Sequence, residues 1–504
     1  MEEETRREAE DAGQAGLAER KGVSRREFLK IAGVAGAAVG VGAGFGGLLA
    51  ACGEEETTTT TAGATTTTAG VTTTVGATTT VSTEAEMGRE LKFGFLAPIT
   101  GPLAGFGTAD GWCVDRWKEY AAAGSLVTAD GKAHPMSVVV RDTQSDANFA
   151  GTVAADLIQN TKVDILMAAS TTDTTIPAAL QAEALGCPCV LTDSPSDSLL
   201  RGVGPDPFTE YKWWRFVFWD NKALMNASIA LYTDPALSTN KVVGCLWPNT
   251  LEGNDRRAFY DAPLKDNGFK IVDGGNFTPG MEDYGTIVNL FKSEGCEILQ
   301  GLMFPPDWAN FWRQCYQTGY IPKVCDIGIQ TLFPTTMEAL GLQEGIGICG
   351  QSWWHPTSPY KSSLTGETCA ELCVEYETRT GQQWTQPIEH YMLFEWAVDV
   401  LKRTSNVDDK EEVMKNIAST KMDTIVGPID FTSPVTKGST EVGKRNFPNV
   451  VASLMYMGQW VKGTTQQPWS TKVWPYELLV VEPSDAPMLK KQADPIILPA
   501  TTFK

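Results

Sequence analysis

Short hydroxyl side chains are concentrated at two points of the 504-residue sequence where an apolar, strand-like run ends. Ser170-Thr171-Thr172 follows one such run, and Ser194-Pro195-Ser196 follows the next. Hydroxyl and backbone N–H groups at strand ends can bind an anion without a full positive charge. The alternative is helix capping, in which the same side chains accept hydrogen bonds from the first amides of a helix. The candidate ligand-binding hydroxyls are Ser170, Thr171, Thr172, Ser194 and Ser196.

Tryptophans form the second group that could contact a small molecule. Trp353 and Trp354 are adjacent, and Trp247 ends a predicted strand whose loop, Pro248-Asn249-Thr250, is expected to face a cleft. Indole rings offer flat apolar area and one N–H donor, which suits a planar or hydrophobic ligand. The alternative is packing in the core, which we favour for four other tryptophans. These are Trp213, Trp214, Trp384 and Trp396.

The N-terminus carries residues suited to export and lipidation. Ser24 to Lys30 includes Arg25 and Arg26 and resembles the twin-arginine export signal. The charge-free Ala/Gly/Val stretch that follows is too weakly hydrophobic for a good permanent membrane span. It runs into Leu49-Ala50-Ala51-Cys52-Gly53, which resembles a bacterial lipobox. Two acyl chains on Cys52 would give stable anchoring, which one chain would not.

We therefore interpret residues 1–51 as a twin-arginine lipoprotein signal peptide and residues 52–88 as a lipidated cysteine followed by a Thr-rich tether. The tether lacks large apolar side chains and is expected to be disordered. The expected location is the outer face of the bacterial cell membrane, or the periplasm, with a lipid anchor. The alternative is a cytoplasmic protein with an incidental arginine pair and an Ala/Gly-rich transmembrane helix.

Composition excludes several function classes. A net charge of −20 without a basic block argues against nucleic acid. Three histidines make a metal centre unexpected, and no nucleophile elbow, zinc-protease or phosphate-loop motif is present. We expect no enzyme activity, no cofactor and no metal. We interpret most of the ten cysteines beyond Cys52 as buried small hydrophobes.

The elements that position these residues alternate from residue 90 onward. Leu91–Leu96 is a predicted strand, Phe149–Gln159 a helix and Val163–Ala169 a strand. The series restarts with a strand at Val242–Trp247 and a helix at Arg257–Asn267. This order predicts two α/β halves, each a parallel sheet covered by helices on both faces. Ligands of such sheets bind at the carboxyl ends of the strands.

Five segments carry a family resemblance, and they lie at 96–107, 140–146, 170–175, 283–290 and 424–431. With their order and the lipobox, the chain resembles the leucine/isoleucine/valine-type (branched-chain-amino-acid) substrate-binding proteins of ABC importers. The resemblance covers Glu90 to about Pro483. It implies the type I periplasmic-binding-protein fold, with two doubly wound α/β lobes joined by a three-segment hinge.

The resemblance also implies domain boundaries. Lobe 1 would comprise 89–218 plus 350–425, and lobe 2 would comprise 219–349 plus 426–500. The hinges would be Phe218-Trp219, Gly350-Gln351 and Val426-Gly427. A ligand would close the two lobes on each other.

In this family the two hydroxyl loops hold an amino acid's carboxylate, and an acidic residue of lobe 2 holds its amino group, helped by an aromatic residue. The acidic position falls near Gln330, and the aromatic position falls at Phe304. A neutral side chain cannot offset the desolvation of an ammonium group. Amides, ureas, carboxylates without an amine and aromatic acids therefore become candidates beside amino acids. The further candidate contacts are Phe106, Trp247, Asn249, Phe304, Gln330, Trp353 and Trp354.

The predicted function is capture of a small polar, amide or aromatic solute and its delivery to an ABC importer. The implied partners are the solute, the transmembrane subunits of the permease and the membrane through the lipid anchor. The protein is expected to be a monomer. Two alternatives remain open, a ligand-sensing subunit of a signalling system and a lipid-anchored hydrolase.

Overall fold

The computed structural model describes residues 85–499, apart from the side chains at 342 and 343. The predicted signal peptide, with Arg25 and Arg26, and the lipidation site Cys52 lie outside the described residues. The carbonyl oxygen of Glu86 accepts a hydrogen bond from the amide of Ala133 at 2.8 Å. The amide of Gly88 donates to the carbonyl oxygen of Ala133, also at 2.8 Å. The last residues of the predicted tether thus pair with the folded body.

Most of the strands belong to two sheets that share one hydrophobic core. In chain order the strands are β1 (Leu91–Ala97), β2 (Leu126–Val127), β3 (Ala133–His134), β4 (Met136–Asp142), β5 (Ile165–Ala168), β6 (Cys189–Thr192), β7 (Trp214–Val217), β8 (Val242–Pro248), β9 (Lys270–Phe277), β10 (Ile298–Met303), β11 (Val324–Ile329), β12 (Ile348–Ser352), β13 (Lys421–Thr424), β14 (Gly427–Asp430), β15 (Arg445–Phe447), β16 (Val450–Val451), β17 (Tyr456–Lys462) and β18 (Tyr476–Glu482).

The first sheet has the strand order β15-β16-β7-β6-β5-β1-β4. All its pairs are parallel except β15 with β16. Every residue of β5, β6 and β7 is buried, as expected for parallel strands covered by helices on both faces. We call this sheet and its helices lobe 1.

The second sheet has the order β18-β17-β12-β11-β10-β8-β9. Its pairs are parallel from β9 to β12, whereas β17 and β18 join as antiparallel strands. We call this sheet and its helices lobe 2. The two α/β lobes confirm the predicted fold class.

Helices connect the strands in both lobes. They are α1 (Asp110–Ala122), α2 (Ala147–Asp156), α3 (Thr172–Leu185), α4 (Ser196–Val203), α5 (Asn221–Tyr232), α6 (Leu251–Asp266), α7 (Gly285–Ser293), α8 (Pro305–Thr318), α9 (Pro334–Leu340), α10 (Leu342–Gly345), α11 (Cys369–Thr380), α12 (Tyr391–Lys402) and α13 (Lys410–Ala418). A 3₁₀ turn, Gln386–His390, leads directly into α12.

A side-chain cap fixes the start of α6, the helix that matters most for the site. The hydroxyl of Thr250 accepts a hydrogen bond from the amide of Gly253 at 3.1 Å. This is the bond that an N-cap residue makes to the otherwise unpaired amides of a first turn. The helix therefore begins at Leu251, well before the predicted start at Arg257.

The chain passes between the lobes three times. The first passage follows β7, at Phe218-Trp219. The second follows β12, so that the predicted hinge Gly350-Gln351 falls inside the last parallel strand of lobe 2. The third lies between β16 and β17, because Val450 pairs with Phe216 in the sheet of lobe 1.

The third passage between the lobes is not at Val426-Gly427, where the third hinge is predicted. Val426 and Gly427 instead lie at the turn of the hairpin β13–β14, in which Thr424 pairs with Gly427. This hairpin packs against α12 of lobe 1. The sequence pattern alone does not reveal that β15 and β16 return to the first sheet.

None of the helices within 85–499 combines the length and the apolar character needed to cross a bilayer.

The ten cysteines of this part of the chain are all buried and none forms a disulfide. Burial raises the pKa of Cys187 to about 12 and that of Cys296 to about 11, which makes both thiols poor nucleophiles at neutral pH.

Candidate functional site

A small cavity of about 30 Å³ lies where the two lobes meet at the hinge. This volume holds one or two water molecules, so a larger solute enters only if the lobes move apart. Both lobes and two of the connecting segments contribute to the wall. The lining residues are Phe106, Thr171, Asp193, Ser194, Pro195, Phe218, Trp219, Glu252, Arg256, Ile329, Leu332, Gln351 and Trp353.

The hydroxyl loops form part of the lobe 1 wall. Ser170 and Thr171 both adopt positive φ angles, 74° and 70°, which are uncommon for residues with a Cβ. The amide of Thr171 donates to the carbonyl oxygen of Asp193 at 2.7 Å, and this bond joins the two loops. The hydroxyls of Thr175 and Ser194 are 2.8 Å apart. The Thr171 hydroxyl is buried without a hydrogen-bond partner.

Behind this wall lies a buried group that we call the lobe 1 charge cluster, formed by Asp110, Asp193, Glu389 and His390. Nδ1 of His390 is 2.7 Å from Oδ1 of Asp110, and Nε2 is 2.9 Å from Oδ2 of Asp193. Burial alone would lower the pKa of His390, but the charges and hydrogen bonds of Asp110 and Asp193 outweigh it and raise the pKa well above its usual value. The imidazole is therefore a cation at neutral pH, held between two carboxylates.

Glu389 adds a third carboxyl group to the cluster, with Oε1 3.7 Å from Nε2 of His390. Burial raises the pKa of Glu389 to about 8, so that it is largely protonated at neutral pH. The ligand atoms of Asp193, Glu389 and His390 all lie within 4.8 Å of one another, a spacing that a metal ion could bridge. The hydrogen bonds of His390 account for the arrangement without one.

Aromatic rings form the hinge side of the cavity. Phe106 contacts Phe333 of lobe 2 edge-on, with ring centroids 4.9 Å apart, and stacks on Trp353 at 6.4 Å. Phe218 lies 5.6 Å from Trp353 and 5.1 Å from Trp219. The indole N–H groups of Trp219 and Trp353 are buried and have no hydrogen-bond partner.

The lobe 2 wall contains a second pair of buried charges, Glu252 and Arg256, which we call the lobe 2 ion pair. Both residues lie on α6, and Nη2 of Arg256 is 2.7 Å from Oε1 of Glu252. Nη1 of Arg256 donates to Oε1 of Gln351 at 2.8 Å. Burial raises the pKa of Glu252, while the charge of Arg256 opposes that rise. The guanidinium also lies 5.6 Å from the ring centroid of Trp219.

A chain of hydrogen bonds anchors this pair in lobe 2. Nε2 of Gln351 donates to Oδ1 of Asp326 at 3.0 Å. Oδ2 of Asp326 accepts from the hydroxyls of Tyr232 at 2.6 Å and Ser228 at 3.1 Å. The orientation of Arg256 is thus fixed by strands β11 and β12 and by helix α5.

One backbone conformation in the lobe 2 wall is strained. Ile329 ends β11 with a φ angle of 66°, and a β-branched side chain rarely adopts this left-handed conformation. Such strain persists where the surrounding structure fixes it, and it is concentrated at binding and active sites. Ile329 lines the cavity.

Comparison with known families identifies the protein class. Residues 90–463 match the family described as Periplasmic binding protein, and residues 22–42 match the TAT (twin-arginine translocation) pathway signal sequence. The chain belongs to the periplasmic binding protein family. This confirms the resemblance found in the sequence, and the signal match supports export of this periplasmic binding protein across the membrane.

Solved structures share its fold. The substrate-binding protein of a branched-chain amino acid transporter from Streptococcus pneumoniae, in complex with isoleucine, is 17% identical, with a TM-score of 0.57 over 78% of this chain and 99% of that chain. A solute-binding protein of an ABC transporter from Rhodopseudomonas palustris, in complex with 3,4-dihydroxybenzoic acid, is 16% identical, with a TM-score of 0.54 over 79% and 99%. At these identities the likeness concerns the type I fold.

Four predicted contact residues of this periplasmic binding protein line the cavity, namely Phe106, Thr171, Ser194 and Trp353. Ser170 and Thr172 are buried beside Thr171 but are not part of the lining. The Ser196 hydroxyl donates to the carbonyl oxygen of Trp219 at 3.1 Å and so supports the first hinge segment.

The other predicted contacts lie away from the lining. Trp247 packs on Tyr260 in the lobe 2 core, with ring centroids 5.1 Å apart. Trp354 donates its indole N–H to the carbonyl oxygen of Ile425 at 3.0 Å. Asn249 is exposed, and Phe304 is the partly buried residue before α8. Gln330 is buried next to Ile329, with its Oε1 lacking a partner.

Sequence analysis of this periplasmic binding protein missed the charged residues of the wall. Glu252 and Arg256 precede the predicted helix, which begins only at Arg257. The N-cap at Thr250 and the i, i+4 spacing of the two charges are the signals that could have placed them on one helix face. The sequence predicts Phe218, Trp219 and Gln351 only as hinge residues.

Proposed function

We propose that this periplasmic binding protein captures a small solute between its lobes outside the cytoplasm and delivers it to the permease of an ABC importer. One observation carries the proposal. Hydroxyl, aromatic and charged side chains from both lobes converge on a single cavity at the hinge. A ligand held there would contact both lobes, so its binding would favour the closed state that a permease recognises.

The proposed solute is small and polar, with an amide, aromatic or amino-acid-like structure. Thr171 and Ser194 supply hydroxyls, whereas Phe106 and Trp353 supply flat apolar surface. The solved structures with this fold support that range, since they hold isoleucine in one case and 3,4-dihydroxybenzoic acid in another. We propose a monomer that acts without catalysis, which is consistent with the non-enzymatic character of the family.

A thermal-shift screen tests this function. The full chain is heated with amino acids, amides, ureas and aromatic acids, and a ligand at a hundredfold excess over its Kd should stabilise the folded state by about 2.7 kcal/mol. Isothermal titration then gives the stoichiometry, expected to be one solute per chain. Turnover in an esterase or glycosidase panel, with no stabilisation by any solute class, would contradict the proposal.

We also propose that the exported protein is anchored through lipid on Cys52, with the Thr-rich segment between Cys52 and the folded body as a tether. The order of twin arginines, weakly apolar stretch and lipobox supports this. Cys52→Ser should move the protein from the membrane fraction to the soluble fraction after cell lysis. A matched Cys→Ser change at Cys296, a buried thiol of the body, should leave the fractionation unchanged. Membrane retention of the Cys52→Ser variant would exclude the anchor.

A further inference from the structure

The unpartnered polar atoms of the cavity wall share one chemical property. Four side-chain atoms of the lining are buried without a hydrogen-bond partner: Oγ1 of Thr171, Nε1 of Trp219, Nε of Arg256 and Nε1 of Trp353. The four residues are only 3–5% exposed. The two indole nitrogens and the guanidinium nitrogen can only donate, and the hydroxyl can donate as well as accept. The wall therefore presents an excess of donors.

The acidic side chains of the same wall are already engaged. Oδ2 of Asp193 is 2.9 Å from Nε2 of His390, and Oε1 of Glu252 is 2.7 Å from Nη2 of Arg256. Each carboxylate has a second oxygen, but a ligand ammonium bound there would share its carboxylate with the cation that already pairs with it. It would lie within a few ångströms of His390 or Arg256, and the repulsion between like charges disfavours that arrangement.

The cation of the lobe 2 ion pair is held in position before a ligand arrives. Glu252 and Gln351 each accept from one terminal nitrogen of Arg256, and Asp326 fixes Gln351 in turn. The Nε–H group remains unpaired in the cavity wall. Little side-chain entropy is then lost on binding, so a charge-assisted hydrogen bond to this group contributes most of its strength to affinity.

We propose that the solute is a small carboxylate without an ammonium group, and that Arg256 determines this specificity by donating to its oxygen from lobe 2. The N–H groups of Trp219 and Trp353 donate to the same acceptor-rich end or to a further oxygen, and the rings of Phe106 and Phe218 contact a flat apolar body. The inference rests on the proposed function, because it concerns the ligand of the same cavity.

Matched ligand pairs test the inference on the unaltered full chain. Isothermal titration compares leucine with 4-methylpentanoate, phenylalanine with 3-phenylpropanoate, and benzoate with benzamide. Within each pair the carboxylate that lacks the amine or amide nitrogen should bind at least about tenfold more tightly, as expected for a charge-assisted bond in a donor-rich wall. Tighter binding of an amino acid or of benzamide would overturn the inference and leave the proposed function intact. Failure of all six probes, together with an unresponsive wider screen, would count against the proposed function itself.

Variants locate the specificity in lobe 2. Glu252→Gln combined with Arg256→Gln removes both charges together and avoids an orphaned carboxylate. It should lower the affinity for the most tightly bound carboxylate by about 10- to 100-fold. The ratio of that affinity to the affinity for its paired amino acid or amide should fall to about one. Arg256→Lys keeps the charge but loses the Nε–H group, and it should give an intermediate loss. Unchanged affinity and preference in both variants would exclude Arg256.

Tryptophan variants provide a matched control. Trp219→Phe and Trp353→Phe keep an aromatic ring but remove a cavity donor, and each should lower carboxylate affinity by about 3- to 10-fold. Trp354→Phe removes an indole N–H that is bonded to Ile425 outside the cavity, and it should leave carboxylate affinity unchanged. Equal losses in all three would indicate a general packing effect and contradict the assigned donors.

Discussion

The two walls of the cavity both contain buried charges, but they leave different atoms free. In the lobe 1 charge cluster, both ring nitrogens of His390 are bound by carboxylates, and the cluster faces the cavity only through Asp193. In the lobe 2 ion pair, both residues line the cavity and Nε of Arg256 has no partner. The comparison indicates a structural role for the first group and a ligand-binding role for the second.

The difference follows from where the charges are anchored. His390 ends a 3₁₀ turn that leads into α12, and its partners come from α1 and from the end of β6, so the cluster joins three elements of one lobe. Glu252 and Arg256 lie on a single helix of the other lobe and make an i, i+4 pair. In the lobe 1 charge cluster the charges themselves join three elements, whereas the lobe 2 ion pair closes within one helix and reaches the neighbouring strand only through the neutral amide of Gln351.

The largest effect is expected from a substitution that breaks the lobe 1 charge cluster. His390→Gln leaves Asp110 and Asp193 buried without their cation, and should lower the free energy of unfolding by about 3–5 kcal/mol. Urea denaturation followed by tryptophan fluorescence measures the change. The double variant Glu252→Gln with Arg256→Gln is the matched comparison and should lose no more than about 1 kcal/mol, because no unpaired charge remains. A larger loss in the double variant would reverse the roles assigned to the two walls.

The second prediction concerns pH. Glu389 has a usual pKa of 4.5 and a folded-state pKa of about 8, so between these values the folded protein holds a proton that the unfolded chain has lost. Stability is therefore expected to fall as pH rises through this window, by at most about 1.4 kcal/mol per pH unit for this group. The raised pKa of His390 has the same sign and adds a loss at higher pH.

Glu389→Gln isolates the contribution of that carboxyl group, because the amide cannot release a proton. Unfolding free energies measured between about pH 5 and pH 8 should fall less steeply in this variant than in the unaltered chain. Glu395, whose pKa burial raises to about 7, contributes in the same direction and remains in both proteins. An unchanged slope would show that Glu389 is already ionised in the folded state.

The smallest effects distinguish two neighbouring hydroxyls of the lobe 1 wall. Thr171→Val removes a buried hydroxyl that has no partner, so stability should change by less than about 0.5 kcal/mol while affinity for the solute falls by about 3- to 10-fold. Ser194→Ala removes the hydroxyl 2.8 Å from that of Thr175, and should cost about 1 kcal/mol of stability. Paired denaturation and titration measurements of both variants test this distinction. Equal stability losses would contradict it.

Much of the fold could be predicted because hydrophobic periodicity is local. The alternation of strand and helix from Leu91 onward predicts the two α/β lobes, and the predicted strand ends include Thr171 and Ser194, which line the cavity. The third hinge was not predictable in this way. The pairing of Val450 with Phe216 joins residues far apart in the chain, and no local pattern encodes it.

The aromatic residues illustrate the same limit. Trp353 and Trp354 are adjacent and chemically identical, yet one lines the cavity and the other packs behind it against Ile425. Their order in the sequence could not decide which faces inward, because that depends on how the segment leaves β12. Trp247 met the local criterion of a strand end but packs on Tyr260 within lobe 2.

The sequence by itself determined the export signal, the α/β class, the family resemblance and the hydroxyl loops, since each depends on residues close together in the chain. Only the tertiary structure decided which side chains share the cavity. Glu252, Arg256 and Gln351 come from a helix and a strand that meet only after folding. His390 bonds to Asp110 and Asp193, which lie far from it in the sequence. Burial and pairing of charge are properties of the assembled core. For that reason the donor excess that we infer for ligand recognition follows from the structure and not from the sequence.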